Sequence, residues 1–273
     1  MGKKIPQLIV ALDVEDRNRA VELVDELGDA VSFFKVGSRL FTAFGPSIVE
    51  EIKSRGADVF LDLKFHDIPA TVAGSVRAAL SIGVDMMTLH ASGGAEMLRA
   101  AAEAVEEMEA MRAGSEGGKG KGRSEIELSA EARNAAVSRA VEPAASRPIL
   151  LGVTVLTSLS RQNLSEIYSY DGTIEDLVLR LVELSVGSGL DGVVSSVREA
   201  AAIRERFGER VVIVTPGIRF ANADRDDQKR IAAPKDAVSA GSDYIVVGRP
   251  IIRAASPLEA AERMLAELKA AAT

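Results

Sequence analysis

The residue types that could do chemistry are concentrated in one short segment, Asp62-Leu-Lys-Phe-His-Asp67. An apolar run precedes it, so the segment is expected to be the end of a buried strand that enters a loop. Side chains alternate along a strand, which places Asp62 and Lys64 on one face and Asp67 just beyond it. Two carboxylates and an ammonium beside an apolar core are costly to desolvate. Together with Lys35, at the end of the preceding candidate strand, they indicate a reaction site rather than a structural ion pair.

Eight short apolar runs alternate with longer amphipathic stretches along the chain. Continuously apolar runs are typical of parallel strands that are covered on both faces. Helical spacing follows the third run, where Val72, Val76 and Leu80 share one face and Pro69 suits a first helical turn. Eight strand–helix units in 273 residues favour an α/β fold, a single-domain (β/α)8 TIM barrel over residues 1–273. The predicted strands are 8–14, 32–37, 59–64, 86–91, 149–156, 192–196, 211–215 and 244–248.

A doubly wound open sheet is the alternative fold, and it usually carries a glycine-rich turn after its first strand. Here the first predicted strand leads into Asp13-Val-Glu-Asp-Arg17, which has no such turn. In a barrel, the carboxyl ends of all strands converge on one face, where active sites lie. Polar side chains stand at or just after the predicted strand ends, and their convergence indicates catalysis. They are Asp13, Lys35, Asp62, Lys64, Thr157, Arg219 and Arg249.

The last two predicted strands end in motifs suited to an anionic group. Gly248 lets a ligand approach the backbone, and Arg249 supplies a planar fork of donors. Loops after strands seven and eight commonly bind phosphate in this fold. Strand seven ends near Arg219, and the polar stretch 220–230, which contains Gln228, predicts a mobile lid.

Composition excludes several other functions. The chain has no cysteine and two histidines, which excludes disulfides and thiolate metal sites and disfavours a histidine-rich zinc site. An oxygen-ligated magnesium site stays open on these grounds. The net charge of −7 disfavours broad nucleic-acid binding. The start of the chain lacks a signal-peptide pattern and no run is long enough to span a membrane, so we expect a cytoplasmic location.

One segment interrupts the alternation. Residues 114–123 are glycine-rich and of low complexity, which predicts a flexible linker. The pattern Ser124-Glu-Ile-Glu127 matches a helix capping box and precedes an alanine-rich stretch. We interpret 112–147 as an insertion between the fourth helix and the fifth strand, either a tolerated surface insertion or a partner-docking arm.

Four motifs occur in order along the chain: Asp-x-Lys-x-x-Asp-Ile-Pro-x-Thr at 62–71, Thr154-Val-Leu-Thr-Ser158, Thr215-Pro-Gly-Ile-Arg219 and Gly248-Arg-Pro250. Together they resemble the bacterial type of orotidine 5′-phosphate decarboxylase, and the likeness covers nearly the whole chain outside 112–147. The resemblance implies a barrel that decarboxylates orotidine 5′-phosphate to uridine 5′-phosphate (UMP), the last step of de novo UMP biosynthesis. It implies no cofactor and no metal.

The resemblance also implies roles for the charged residues. Lys64 would donate the proton to C6 of the pyrimidine, and Asp62 would lie beside the substrate carboxylate. Lys35 and Asp67 would complete an alternating network of charges. Asp67 and Thr71 would reach into the active site of a neighbouring subunit, so a homodimer is expected.

The remaining substrate contacts follow from the same resemblance. Asp13 would bind the ribose together with Lys35, and Ser158 would hydrogen-bond the pyrimidine with Thr157 beside it. The phosphate would be held by Arg219, Gln228, Gly248 and Arg249, with Gln228 also reaching the base.

Two alternatives stay open. Magnesium-dependent sugar-phosphate decarboxylases and hexulose-phosphate synthases resemble this barrel and share Asp-x-Lys-x-x-Asp. Thr157, Ser158 and Gln228 favour a pyrimidine over a sugar. A non-catalytic nucleotide-binding barrel is the second alternative, and the complete set of charged residues argues against it.

Overall fold

The structure is a computed structural model that describes residues 3–116, 147–220 and 232–273; for 114–116 it describes the backbone alone. Its centre is a closed barrel of eight parallel strands in sequential order. The predicted (β/α)8 fold is therefore confirmed. The strands are β1 Gln7–Ala11, β2 Phe33–Gly37, β3 Asp58–Phe65, β4 Met86–His90, β5 Ile149–Val153, β6 Gly192–Val194, β7 Val212–Pro216 and β8 Tyr244–Val247.

Helices cover the outside of the barrel. Pro69 stands in the first turn of its helix, as predicted. In the described part of the chain the helices are α1 Arg17–Leu27, α2 Ser38–Phe44, α3 Pro46–Lys53, α4 Pro69–Ser81, α5 Ala95–Glu116, α6 Arg161–Tyr168, α7 Ile174–Gly187, α8 Val197–Phe207, α9 Pro234–Ala240, α10 Arg249–Ile252 and α11 Pro257–Ala272. Among these helices, none is long and apolar enough to cross a membrane.

The core has two layers. A cluster inside the barrel contains Ile9, Phe33, Phe60, Met86 and Leu151, each at most 5% exposed. Larger clusters lie between the sheet and the helices. Because inward-pointing side chains fill the barrel, a ligand has room only at the mouth. The site must therefore be built from strand ends and the loops that follow them.

Several predicted strands were too long at their carboxyl ends. β1 stops at Ala11 instead of residue 14, and β5 stops at Val153 instead of residue 156. Just beyond these ends, the N–H groups of Leu12 and Thr154 each donate one last hydrogen bond to the next strand, to Lys35 and Val194. The chain then forms the rim of the barrel mouth. Apolar residues such as Val155 continue the pattern past the ladder, which explains the overestimate.

The predicted insertion 112–147 is only partly described. Helix α5 continues through Arg112 to Glu116, so the first residues of that segment extend the helix. Residues 117–146 lie outside the described part, and so does most of the predicted lid, including Gln228.

Candidate active site

A cavity of about 250 Å³ opens at the carboxyl ends of the strands. Its floor is the top of the inner core, where Ala11, Phe60, Val194 and Val246 are exposed to the cavity. The polar and charged residues that line it come from seven of the eight strand ends, all except that of β4. They are Asp13, Lys35, Asp62, Lys64, Thr157, Ser195, Arg219 and Arg249. The predicted convergence of strand-end side chains is present in the fold.

Four of these residues form a chain of alternating charge. The Nζ of Lys35 lies 3.4 Å from Oδ1 of Asp13 and 3.4 Å from Oδ2 of Asp62. The Nζ of Lys64 lies 2.8 Å from Oδ1 of Asp62. The side chains of Lys35 and Asp62 are 11% and 14% exposed, whereas that of Lys64 is 33% exposed. Lys64 is thus the more exposed of the two cations around Asp62, within reach of a molecule in the cavity.

The carboxylate of Asp62 is held in its charged form. Burial by itself would raise its pKa, but Lys35, Lys64 and a hydrogen bond from Thr88 outweigh this effect and hold the pKa below its usual value. At neutral pH Asp62 is therefore an anion that fixes the Lys64 ammonium in place.

Thr88 is a part of the site that sequence reasoning missed. It is fully buried in β4, where its hydroxyl donates to Oδ1 of Asp62 at 3.0 Å and accepts from the backbone N–H of Lys64 at 2.9 Å. One hydroxyl thus connects the carboxylate to the backbone of the lysine. The signal in the sequence was a lone hydroxyl residue within the apolar run 86–89.

The backbone at Lys64 departs from an ordinary strand. Its φ of 54° lies in the left-handed region, which non-glycine residues seldom occupy. The pairing of β3 with β4 shifts register between Leu61 and Phe65, as in a β-bulge. The irregularity lies at the residue whose side chain faces the cavity, and the hydrogen bond to Thr88 stabilises it.

Gly37 leaves the space that the charged chain occupies. A Cβ at this position would lie 3.1 Å from Nζ of Lys35 and 3.7 Å from Oδ1 of Asp13. Gly248, which follows β8, has a similar effect on Asp13, because a Cβ there would lie 3.3 Å from Oδ2 of Asp13. Both glycines therefore give Asp13 and Lys35 room at the rim.

Three of the residues predicted to bind the anion, Arg219, Gly248 and Arg249, line the cavity. Arg219 follows β7 and Arg249 follows β8, and both line the cavity together with Gly248 and Thr157. Arg219 is only 6% exposed. Ser158, by contrast, is exposed and does not line the cavity, so this structure does not bring it to the other site residues.

Asp67 and Thr71 do not line the cavity. Both are exposed, and the carboxylate of Asp67 accepts a hydrogen bond from the N–H of Ile68 at 2.6 Å. Within the described residues Asp67 makes no ion pair. Ile68 beside it is 66% exposed, a large apolar side chain left open to solvent.

The fold and the site together define a class of protein: a (β/α)8 barrel whose mouth cavity is lined by a lysine–carboxylate chain and two arginines. Comparison with known proteins narrows this class. The profile of the orotidine 5′-phosphate decarboxylase / HUMPS family matches residues 6–264. The chain belongs to this family.

Individual relatives agree with the assignment. The chain is 45% identical to an orotidine 5′-phosphate decarboxylase of Moorella thermoacetica, over 96% of this chain and 92% of that protein. It is 44% identical to the protein of the same name from Syntrophotalea carbinolica, over 97% and 96% of the two chains. The crystal structure of the orotidine 5′-phosphate decarboxylase from Lactobacillus acidophilus matches with a TM-score of 0.75 at 33% identity, over 96% and 99% of the two chains.

Proposed function

We propose that this protein decarboxylates orotidine 5′-phosphate to UMP and carbon dioxide. One observation carries the proposal: the Asp62–Lys64 pair stands in a barrel-mouth cavity that Arg219 and Arg249 also line. The relatives that bear this activity in their names match the chain over nearly its full length. A biosynthetic nucleotide substrate and the absence of cysteine support a cytoplasmic location.

The chemical difficulty is the electron pair left at C6 when carbon dioxide departs. This pair occupies an sp² orbital in the plane of the ring, orthogonal to the ring π system, which therefore cannot delocalise it. The protein must stabilise it electrostatically. An ammonium about 4 Å away contributes on the order of 4 kcal/mol at an effective dielectric constant near 20. Lys64 supplies this ammonium and then donates its proton to C6, which gives UMP and a neutral amine.

Asp62 has two roles in this scheme. Its carboxylate holds the Lys64 ammonium at 2.8 Å, so the proton donor is in place before the substrate binds. It also lies beside the substrate carboxylate, and the repulsion between these two anions is relieved when carbon dioxide leaves.

The other residues hold the nucleotide. Arg219, Gly248, Arg249 and Gln228 bind the phosphate, whose binding energy positions the distant reacting carbon. Asp13 and Lys35 bind the ribose. Thr157 and Gln228 contact the pyrimidine, whereas Ser158, which the resemblance also assigns to it, lies outside the cavity.

The activity is tested by following the loss of orotidylate ultraviolet absorbance with protein that has been stripped of metal and assayed in a chelator. We expect full turnover, because the Lys64 ammonium supplies the charge stabilisation without a cofactor. The sugar-phosphate alternative would instead require Mg²⁺ and a sugar-phosphate substrate. Failure to consume orotidylate, or restoration of activity only by added Mg²⁺, would contradict the proposal.

We also propose that the enzyme acts as a homodimer in which Asp67 and Thr71 complete the partner's site. The proposal is supported by the exposure of Asp67, Ile68 and Thr71 and because neither Asp67 nor Thr71 lines the cavity of its own subunit. Asp67 would then become the last carboxylate of an alternating network that crosses the interface.

Mixing two inactive variants tests the shared site. In a heterodimer of Lys64→Ala and Asp67→Ala subunits, one site carries both defects and the other carries neither. After unfolding and refolding at equal concentrations, random pairing should restore about a quarter of the wild-type activity. The control is refolding of each variant alone, which should stay inactive. If the mixture is as inactive as the separate variants, Asp67 acts within its own subunit.

A further inference from the structure

Ser195 follows β6 directly and lines the mouth cavity beside Val194. The residue is 2% exposed, and its Oγ has no hydrogen-bond partner in the part of the chain that the structure describes. Buried hydroxyls in native proteins are nearly always paired, because an unpaired one gives up its hydrogen bonds to water without replacement. A polar group of a ligand in the cavity would supply the partner that the fold does not.

Other buried hydroxyls show that this fold usually provides partners. Ser185 donates to the carbonyl of Leu181 at 2.7 Å, and Thr154 donates to the carbonyl of Val194 at 3.0 Å. Thr215 and Ser242 pair with each other at 2.7 Å. Ser195 is thus an exception among the buried hydroxyls of the described chain, and it lies at the site.

The position of Ser195 around the barrel indicates which part of the substrate it meets. The arginines at the ends of β7 and β8 take the phosphate, Asp13 and Lys35 at the ends of β1 and β2 take the ribose, and Lys64 on β3 faces the reacting carbon. The remaining wall, after β5 and β6, is mostly apolar and is formed by Val153, Val155, Leu156, Thr157, Val194 and Ser195. An apolar wall with few hydroxyls suits a flat heteroaromatic ring.

We propose that Oγ of Ser195 hydrogen-bonds a heteroatom of the pyrimidine ring, either a carbonyl oxygen or the ring N–H. This inference rests on the proposed function. A hydroxyl both donates and accepts, so it serves either type of ring atom. The bond would fix the rotation of the ring and hold C6 toward Lys64, which makes Ser195 a determinant of base specificity.

The test compares Ser195→Ala with wild type in three measurements: the dissociation constants of UMP and of ribose 5-phosphate, the kcat/KM for orotidylate, and the Tm without ligand. We expect UMP affinity and kcat/KM to fall about ten-fold, as for the loss of one hydrogen bond in a closed site. Ribose 5-phosphate lacks the base, so its affinity should not change. The Tm should stay the same or rise, because the variant loses an unpaired buried hydroxyl.

Ser185→Ala is the matched control, since it removes a buried and paired hydroxyl outside the cavity. It should lower the Tm and leave UMP affinity unchanged. Unchanged UMP affinity in Ser195→Ala would overturn the proposal. An equal loss of affinity for UMP and for ribose 5-phosphate would overturn it as well. If Ser195→Ala does not fold, Ser195→Cys replaces it with a weaker donor of similar size, and a selective loss for UMP is again the expected result.

The proposed function and the role of Ser195 would be refuted by different results. Wild-type protein that neither consumes orotidylate nor binds UMP would refute the proposed function. Wild-type protein that does both, with Ser195→Ala equally good at both, would refute the role of Ser195 alone.

Discussion

Replacement of Lys64 with alanine should lower kcat for orotidylate by roughly 10⁵-fold, the combined size of a lost general acid and a lost electrostatic stabiliser. The variant removes both the ammonium that faces C6 and the proton that C6 receives. Binding of UMP should change far less, because the phosphate, ribose and base contacts remain. Steady-state kinetics combined with equilibrium binding of UMP would separate the two effects.

Two further variants make this result specific. Lys64→Arg keeps the positive charge but donates its proton very poorly, so it should be nearly as inactive as alanine. Lys53→Met removes a lysine that is more buried than Lys64, at 11% against 33% exposed, and does not line the cavity; it pairs with Asp85 at 2.8 Å. This control should lower the Tm and leave kcat nearly unchanged. Substantial turnover by Lys64→Ala would exclude the residue as the proton donor.

The second large effect is expected at Arg249. Loss of its guanidinium removes one of the two arginines that hold the phosphate, which should lower kcat/KM for orotidine 5′-phosphate by about 10²- to 10³-fold. Turnover of the nucleoside orotidine, which has no phosphate, should be low and should not change. The ratio of the two kcat/KM values is the quantity to measure.

Arg253→Ala offers a matched control, because this arginine is exposed at the end of the same short helix. This variant should leave kcat/KM unchanged for both orotidine 5′-phosphate and orotidine. An equal loss for orotidine and its phosphate in Arg249→Ala would mean that Arg249 acts on the structure of the site rather than on the phosphate.

The fold could be predicted from the chain because each unit repeats the same local pattern. An apolar run such as 59–61 followed by a helical stripe such as Val72, Val76 and Leu80 specifies one strand and one helix. Repetition of the unit around a closed sheet then determines the topology. The strand ends were less certain, since Val155 and its neighbours continue the apolar pattern past the last ladder hydrogen bond of β5.

The charged half of the site was also predictable. The alternation of side chains in a strand places Asp62 and Lys64 together, and the structure confirms this with a distance of 2.8 Å. Their partner Thr88 was missed because it belongs to another strand and the hydrogen bond spans 26 residues. The left-handed backbone at Lys64 is likewise set by this non-local contact and leaves no mark on the local sequence.

Ser195 could not be recognised from the sequence for a different reason. A serine after an apolar run is common at the end of a strand, so its type and position say little about function. Only the packing around it shows that the hydroxyl is buried and lacks a partner among the described residues, and that the residue lines the cavity. The proposed interface role of Asp67 depends on a second subunit, which no pattern within one chain can place.

The central claim is that the ammonium of Lys64 meets C6 of the bound pyrimidine. A crystal structure of the wild-type protein with a uridylate analogue that carries a polar group at C6 would test it most directly. We expect Nζ of Lys64 to lie within about 3 Å of that group while it keeps its contact with Asp62. An Nζ that points to bulk solvent or into another pocket, with the analogue bound in the cavity, would contradict the mechanism.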